Sequence, residues 1–314
     1  MKLIAATRKS ALALWQTQDV CNQLTALDQN LSITLNELQT QGDLILNKPL
    51  NEIGGKALFM KELEIAMLNG EADFAVHSLK DVPYQLPEGF ALAAFCKRED
   101  ARDAFVSNKY KNLDTLPQGA SVGTSSLRRK AQLLHYRPDL NIISLRGNVQ
   151  TRLKKLDQSG YDAIILAAAG LIRLGLKERI TEYLDPKICL PAVGQGVVVV
   201  EVLEKNTETF QLINNINHHD SQQCILAERA FNEKLEGGCH VPVAAHATMH
   251  HQKLTLTGLV ACSRGKHILK VIQTGVDPIA LGHAVAQSLI DQGATELLRS
   301  DHAHTRKINL FNQT

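Results

Sequence analysis

Aromatic side chains are scarce, at 4% of 314 residues, too few to furnish the stacking platforms of a single-stranded nucleic-acid groove. Net charge is nearly absent as well. With 34 Lys and Arg against 32 Asp and Glu, no field of the whole molecule would gather nucleic acid or an anionic membrane. No apolar run is long enough to span a bilayer, and the opening MKLIAATRKSALALW is broken by Arg8 and Lys9 before a secretory core can form. The six cysteines (Cys21, Cys96, Cys189, Cys224, Cys239, Cys262) are scattered without a CxxC pair, which excludes a dense disulfide framework and predicts free thiols in a reducing compartment. The phosphate-loop pattern GxxxxGK(S/T) is missing, and AVGQGV lacks the full dinucleotide fingerprint. His218–His219 and His250–His251 lack helical ligand spacing, so no metal is expected. These absences predict a cytoplasmic, monomeric protein with ordinary globular composition, 44% hydrophobic and 21% charged.

What is present is a set of basic residues placed with a pattern. Three stretches read as a strand, a turn, and arginine where the next helix begins: SVGTSSLRR with Arg128 and Arg129, IISLRGNVQTR with Arg146 and Arg152, and YDAIILAAAGLIR with Arg173. A TRKS turn with Arg8, Lys9 and Ser10 repeats the pattern near the N-terminus. Cations in a first helical turn oppose the helix dipole unless something negative binds there, and helix N-termini at the carboxyl edge of an open α/β sheet already favour anions. Structural salt bridges are the alternative for any one of these arginines. Their recurrence predicts a ligand with several negative charges.

The chain divides into three units. Strand and helix patterns alternate from Leu3 through the buried Asp73–His77 strand, and a second series runs from Asp103 to Leu190. The β-branched Val197–Val200 is expected to return to the first unit. The predicted fold class is α/β: two doubly wound domains, residues 1–98 plus 197–217 and residues 99–196, with a hinge and cleft between them. A smaller α+β domain follows at 218–314. Residues 41–55, QGDLILNKPLNEIGG, read as a lid or binding loop hinged at Gly54 and Gly55.

Two further residues invite chemistry. Asp81, in HSLKDVP, projects from the edge of a buried strand beside Lys80, as a general acid/base or as a turn aspartate before Pro83. Cys239, in EGGCHVP, reads as a nucleophile or attachment point on a glycine-flanked loop. Burial as a small apolar residue is the commoner fate of a free cysteine.

In order along the chain, ATRKSALALWQ, GGKALFMKELE, AVHSLKDVP, REDARDAFVS, VGTSSLRR, LRGNVQTRL, LAAAGLIRLG, LPAVGQG and LEGGCHVP resemble the porphobilinogen deaminase (hydroxymethylbilane synthase) family. The stretch beyond Thr248 carries little of the resemblance. It implies a three-domain fold and a dipyrromethane primer held as a thioether on Cys239, with Asp81 as the catalytic aspartate. Carboxylate arms of the primer would meet Lys80, Thr124, Ser125, Ser126, Arg128, Arg129 and Arg146; those of the substrate would meet Arg8, Ser10, Arg152, Arg173 and Gln195. Lys56 and Phe59 would belong to a mobile loop over the site. The implied reaction deaminates porphobilinogen to an electrophilic methylene-pyrrole and joins four units head to tail before hydrolysis frees hydroxymethylbilane.

Gln41 stands where the family commonly has a basic residue, Asn47 where aspartate is usual, and Val197–Val200 is unusually apolar. None of these removes a group assigned to chemistry. Two other readings share parts of the pattern: a two-domain binding protein for a small polycarboxylate that performs no catalysis, and a hydrolytic or acyl-transfer enzyme using Cys239.

Overall fold

The computed structural model describes residues 1–44, 58–158, 160–235 and 241–299. The expected lid with Asn47, Gly54, Gly55 and Lys56, the Cys239 loop, and the C-terminal tail lie outside the described residues.

The chain opens with β1 (Lys2–Arg8), α1 (Ala11–Leu27), β2 (Ser32–Leu38), α2 (Gln41–Leu44), α3 (Lys61–Leu68), β3 (Phe74–Ser78) and β4 (Phe90–Phe95). Strand β1 runs past the expected Ala6 because Arg8 still pairs in register with Leu38. Ser10 caps α1, its hydroxyl accepting from the amide of Ala13 at 3.4 Å. The second series contains β5 (Asp103–Val106), β6 (Ser121–Gly123), α4 (Leu127–Tyr136), β7 (Asn141–Ile143), α5 (Val149–Asp157), β8 (Ala163–Ala167), α6 (Ala168–Arg173) and β9 (Glu182–Tyr183). Then β10 (Val198–Leu203) and α7 (Thr207–Asn214) lead into α8 (His219–Lys234), β11 (Val243–His250), β12 (Lys253–Ala261), β13 (Ile268–Gly275) and α9 (Pro278–Asp291).

The fold is mixed α/β, with two five-stranded sheets of one design, ordered β2-β1-β3-β10-β4 and β7-β6-β8-β5-β9. In each, one strand runs antiparallel to both neighbours: β10 against β3 and β4, β5 against β8 and β9. These are the strands that follow the two chain crossings. The first crossing leaves β4 and delivers β5 to the second sheet; the other delivers β10 to the first, as the valine run predicts. Val198, Val200 and Val202 face α1 and α7 in a core with Phe74, Val76, Val20 and Leu24. Each such buried aliphatic side chain contributes about 1.5–3 kcal/mol.

The third unit is an antiparallel β11-β12-β13 sheet whose core joins Phe231 of α8 to Val285 and Leu289 of α9. A buried ion pair fastens it to both crossings. Arg98 donates to Glu228 at 2.6 Å and to the carbonyl of Gln195 at 2.9 Å. Glu228 in turn accepts from the amides of Gly194 and Ala247, both at 2.8 Å.

Candidate active site

A cleft of about 530 Å3 opens between the two five-stranded sheets. Its walls come from strand ends and the turns that follow them, where an open α/β sheet exposes backbone N–H groups and side chains. Among the described residues seven Lys and Arg line it (Arg8, Lys9, Lys80, Arg129, Arg146, Arg152, Arg173) against two carboxylates, Asp43 and Asp81. Ser10, Phe59, Ser125 and Gln195 complete the contribution of the sequence candidates.

Asp81 closes a single turn, Leu79–Asp81, directly after the buried strand β3. One bond and one glycine hold that turn. Leu79 donates to the carbonyl of Val197 at 3.0 Å, and Gly194, at φ +74°, lies so close that a Cβ there would come within 2.8 Å of the Leu79 side chain. The second crossing is thereby pressed against the turn that carries Lys80 and Asp81. No hydrogen bond to the Asp81 carboxylate occurs among the described residues, which leaves it open to the cleft. Desolvation, only partly offset by Asp81, and the nearby Arg129 and Arg152 push Lys80 down to about 8. As pH rises through that value Lys80 loses its charge, so anion binding should weaken in mildly alkaline solution. Desolvation and the neighbouring Arg129 likewise push Arg152 down to about 10, leaving it charged.

The arginines divide into committed and free. Arg128 does not line the cleft. It is buried and donates to Asp103 at 2.7 Å and to the carbonyl of Leu190 at 2.6 Å. Arg129 reaches the same carboxylate from Nε at 3.0 Å and Nη2 at 2.7 Å, and gives Nη1 to the carbonyl of Ile165. Gln195 adds an amide donor to Asp103 at 2.9 Å. Burial alone would raise Asp103, but the two guanidiniums hold its carboxyl well below the usual carboxylate range. Thus the salt-bridge alternative describes Arg128, and for Arg129 it coexists with a place in the cleft wall. Thr124 and Ser126 lie behind the cleft: Thr124 accepts from the amide of Ser126 at 3.2 Å, and Ser126 caps α4 by accepting from the amide of Arg129 at 3.4 Å.

Arg146 is the opposite case, with a buried Nη1 that has no hydrogen-bond partner among the described residues. An orphaned guanidinium nitrogen is costly unless an acceptor arrives. Arg173 departs from the expected placement: α6 starts directly after β8, so Arg173 ends that helix, where the dipole favours a cation. Its Nη2 donates to the carbonyl of Gly196 at 2.7 Å and its guanidinium faces Trp15 at 5.9 Å. Phe59, assigned above to the loop over the site, stacks on Arg8 at 4.3 Å. Sequence reasoning missed Asp103 and Asp43; the first lies inside the REDARDAF motif, where a charged residue opening the apolar run AFV was the available signal.

A family model described as porphobilinogen deaminase, dipyromethane cofactor binding domain, matches residues 3–211, and one for the porphobilinogen deaminase C-terminal domain matches 222–291. The chain belongs to the porphobilinogen deaminase family. Porphobilinogen deaminase of Francisella philomiragia is 61% identical over 297 residues, 95% of this chain and 99% of that one. That of Francisella tularensis subsp. novicida is 59% identical over 299 residues, with the same coverage. A putative methionine-binding lipoprotein from Bacillus subtilis superposes with a TM-score of 0.44 at 12% identity over 69% of this chain and 90% of that one, a likeness that carries no argument.

The porphobilinogen deaminase family model brings a dipyrromethane group into question, and the cleft residues fit such a group. A polycarboxylate would supply the acceptors that Arg146 Nη1 lacks and neutralise the surplus of cations around Lys80 and Arg152. No described cysteine lines the cleft.

Proposed function

We propose that the cleft joins porphobilinogen units head to tail onto a dipyrromethane held through Cys239, releasing ammonia at each addition and hydroxymethylbilane after four. As a porphobilinogen deaminase the chain is a transferase of tetrapyrrole biosynthesis. The observation that carries the site assignment is the seven-to-two excess of cations over carboxylates among the described residues, which also leave one arginine nitrogen unsatisfied. When bound, the dipyrromethane supplies the free pyrrole α-carbon to which the first unit is joined.

The remaining work falls to side chains of this protein. Asp81 accepts pyrrole N–H groups and offsets the positive charge that develops on the substrate as ammonia leaves. Arg146, Lys80, Ser125 and Arg129 hold carboxylate arms of the primer, with Thr124 and Ser126 shaping the start of α4 and Arg128 bracing Arg129 through Asp103. Arg8, Ser10, Arg152, Arg173 and Gln195 receive the incoming unit, and Lys56 serves from the stretch of chain ahead of α3. Attachment at Cys239 is supported by the state of four of the other five thiols. Burial pushes Cys21 and Cys224 up to about 11 and Cys96 and Cys189 up to about 12, so none offers thiolate at neutral pH. The three sheets support a division into residues 1–98 plus 197–217, 99–196 and 218–314, and a cytoplasmic monomer fits a small-molecule enzyme of this kind.

Mass spectrometry of enzyme mixed with limiting porphobilinogen tests the division of labour. Neutral replacement of Arg146 should impair cofactor assembly, leaving a population with bare polypeptide mass; Arg152→Gln and Arg173→Gln should load the primer and stall during elongation. Each broken charge-assisted contact costs about 1.5–3 kcal/mol, enough to stop one stage without unfolding the protein. Identical distributions of intermediates in all three variants, with only a shared loss of stability, would make these arginines structural.

A further inference from the structure

Arg8 is the cleft cation whose setting the proposed chemistry leaves unexplained. From the end of β1 it donates from Nε to Asp43 Oδ2 at 3.1 Å and from Nη2 to Asp43 Oδ1. The ring of Phe59 covers its guanidinium, 4.3 Å from Cζ to the ring centre. Both partners are themselves fixed. Asp43 Oδ2 accepts from the hydroxyl of Thr40 at 2.8 Å and from its amide at 3.4 Å, tying the carboxylate to the start of α2. Phe59 lies against Gly42, where any Cβ would run into the ring. Arg8 Nη1 makes no hydrogen bond among the described residues, and Arg8, Asp43 and Phe59 all line the cleft.

A carboxylate already on a substrate-binding arginine has two opposite meanings. It is either a stand-in that the substrate must displace or a brace that aims the guanidinium. The bonding favours the brace. Asp43 is anchored by Thr40 through Oδ2, the oxygen that also accepts from Arg8 Nε, and it uses the Nε–Nη2 edge of the fork. The Nη1 side is left for a second carboxylate. An unrestrained arginine would lose rotamer freedom on binding, and the brace removes that loss beforehand.

We infer that Asp43 is a positioning residue for the reaction: with Phe59 it presets Arg8, so that the Nη1 side meets a porphobilinogen carboxylate without being ordered by it. This rests on the reading of Arg8 as a substrate ligand. Burial alone would raise the Asp43 carboxyl, but Arg8 and Thr40 hold it below the ordinary range, so the brace stays charged at neutral pH.

Steady-state kinetics on holoenzyme carrying Asp43→Asn, Arg8→Gln or both decide the matter, with intact mass confirming the pyrrole load. Asp43→Asn should raise KM about ten-fold while kcat stays within about two-fold, because the lost contact acts on binding alone. It should add nothing in the Arg8→Gln background. A lower KM in Asp43→Asn would make Asp43 a displaced competitor, and an unchanged KM or a further loss on top of Arg8→Gln would equally overturn the inference. If Arg8→Gln itself left KM unchanged, the substrate role of Arg8 would fail instead. Should Asp43→Asn not fold, Gly42→Ala, which drives the Phe59 ring off Arg8, should give the same selective rise in KM; no rise there would sink the brace.

Discussion

Asp81→Asn should keep its fold and its bound pyrroles while losing about two to three powers of ten in turnover, the usual cost of removing a charge-stabilising group from a preorganised site. The turn that carries it is fixed by the Leu79–Val197 bond and by the tight approach of Gly194, not by the carboxylate itself. An asparagine therefore fits the same space. What it cannot supply is negative charge, and the surroundings make that charge valuable: Lys80, Arg129 and Arg152 crowd the cleft, so a cation developing on the substrate would otherwise meet mainly positive neighbours. Single-turnover kinetics give the relevant rate. A variant within a few-fold of the parent would reduce Asp81 to a turn residue.

Asp103→Asn should be the most damaging substitution outside the reacting groups. Its carboxylate is fully buried and receives bonds from Arg128, Arg129 and Gln195 at once. Removing the charge leaves two buried guanidiniums without their anion, and breaking a buried pair in this way costs about 3–5 kcal/mol. Against a total stability of about 5–15 kcal/mol, that is a large part of the whole. Calorimetry should show a strongly lowered melting temperature and primer loading should fall with it, since the start of α4 carries Ser126 and Arg129. The pH dependence has a definite sign. A carboxyl depressed in the folded state stabilises the protein at every pH above the unfolded value, and that contribution is lost only as pH falls below about 4. Acid unfolding of the parent should therefore steepen in that range, and the variant should lack this component. Equal melting temperatures for parent and variant would remove Asp103 from its structural role.

The parts of this fold legible in the sequence are those written in local periodicity. The run VVVEVL gave away β10 because a strand covered on both faces needs no polar alternation, and its return to the first sheet followed from the two-crossing pattern. The basic cleft was legible because strand ends and turns carry its arginines. Arg173 was misplaced because β8 passes into α6 without an intervening turn, so the residue expected at a helix start lies at its end. Arg128 looked like a ligand because its counter-ion lies 25 residues away and meets it only in the folded sheet. Asp43 was hidden for a similar reason, 35 residues from Arg8 and within a segment read as an irregular loop. For Cys239 the residues alone left attachment and burial both open; the family resemblance, not local physics, pointed to the thioether.

The intact mass of the purified protein tests the central claim most directly. A chain that builds its product on a dipyrromethane held through Cys239 should carry the mass of two linked pyrroles beyond its polypeptide, mapped to the peptide containing LEGGCHVP, and Cys239→Ser should lack it while Cys21→Ser, Cys189→Ser and Cys262→Ser retain it. Turnover of porphobilinogen by a protein of bare polypeptide mass would contradict the account.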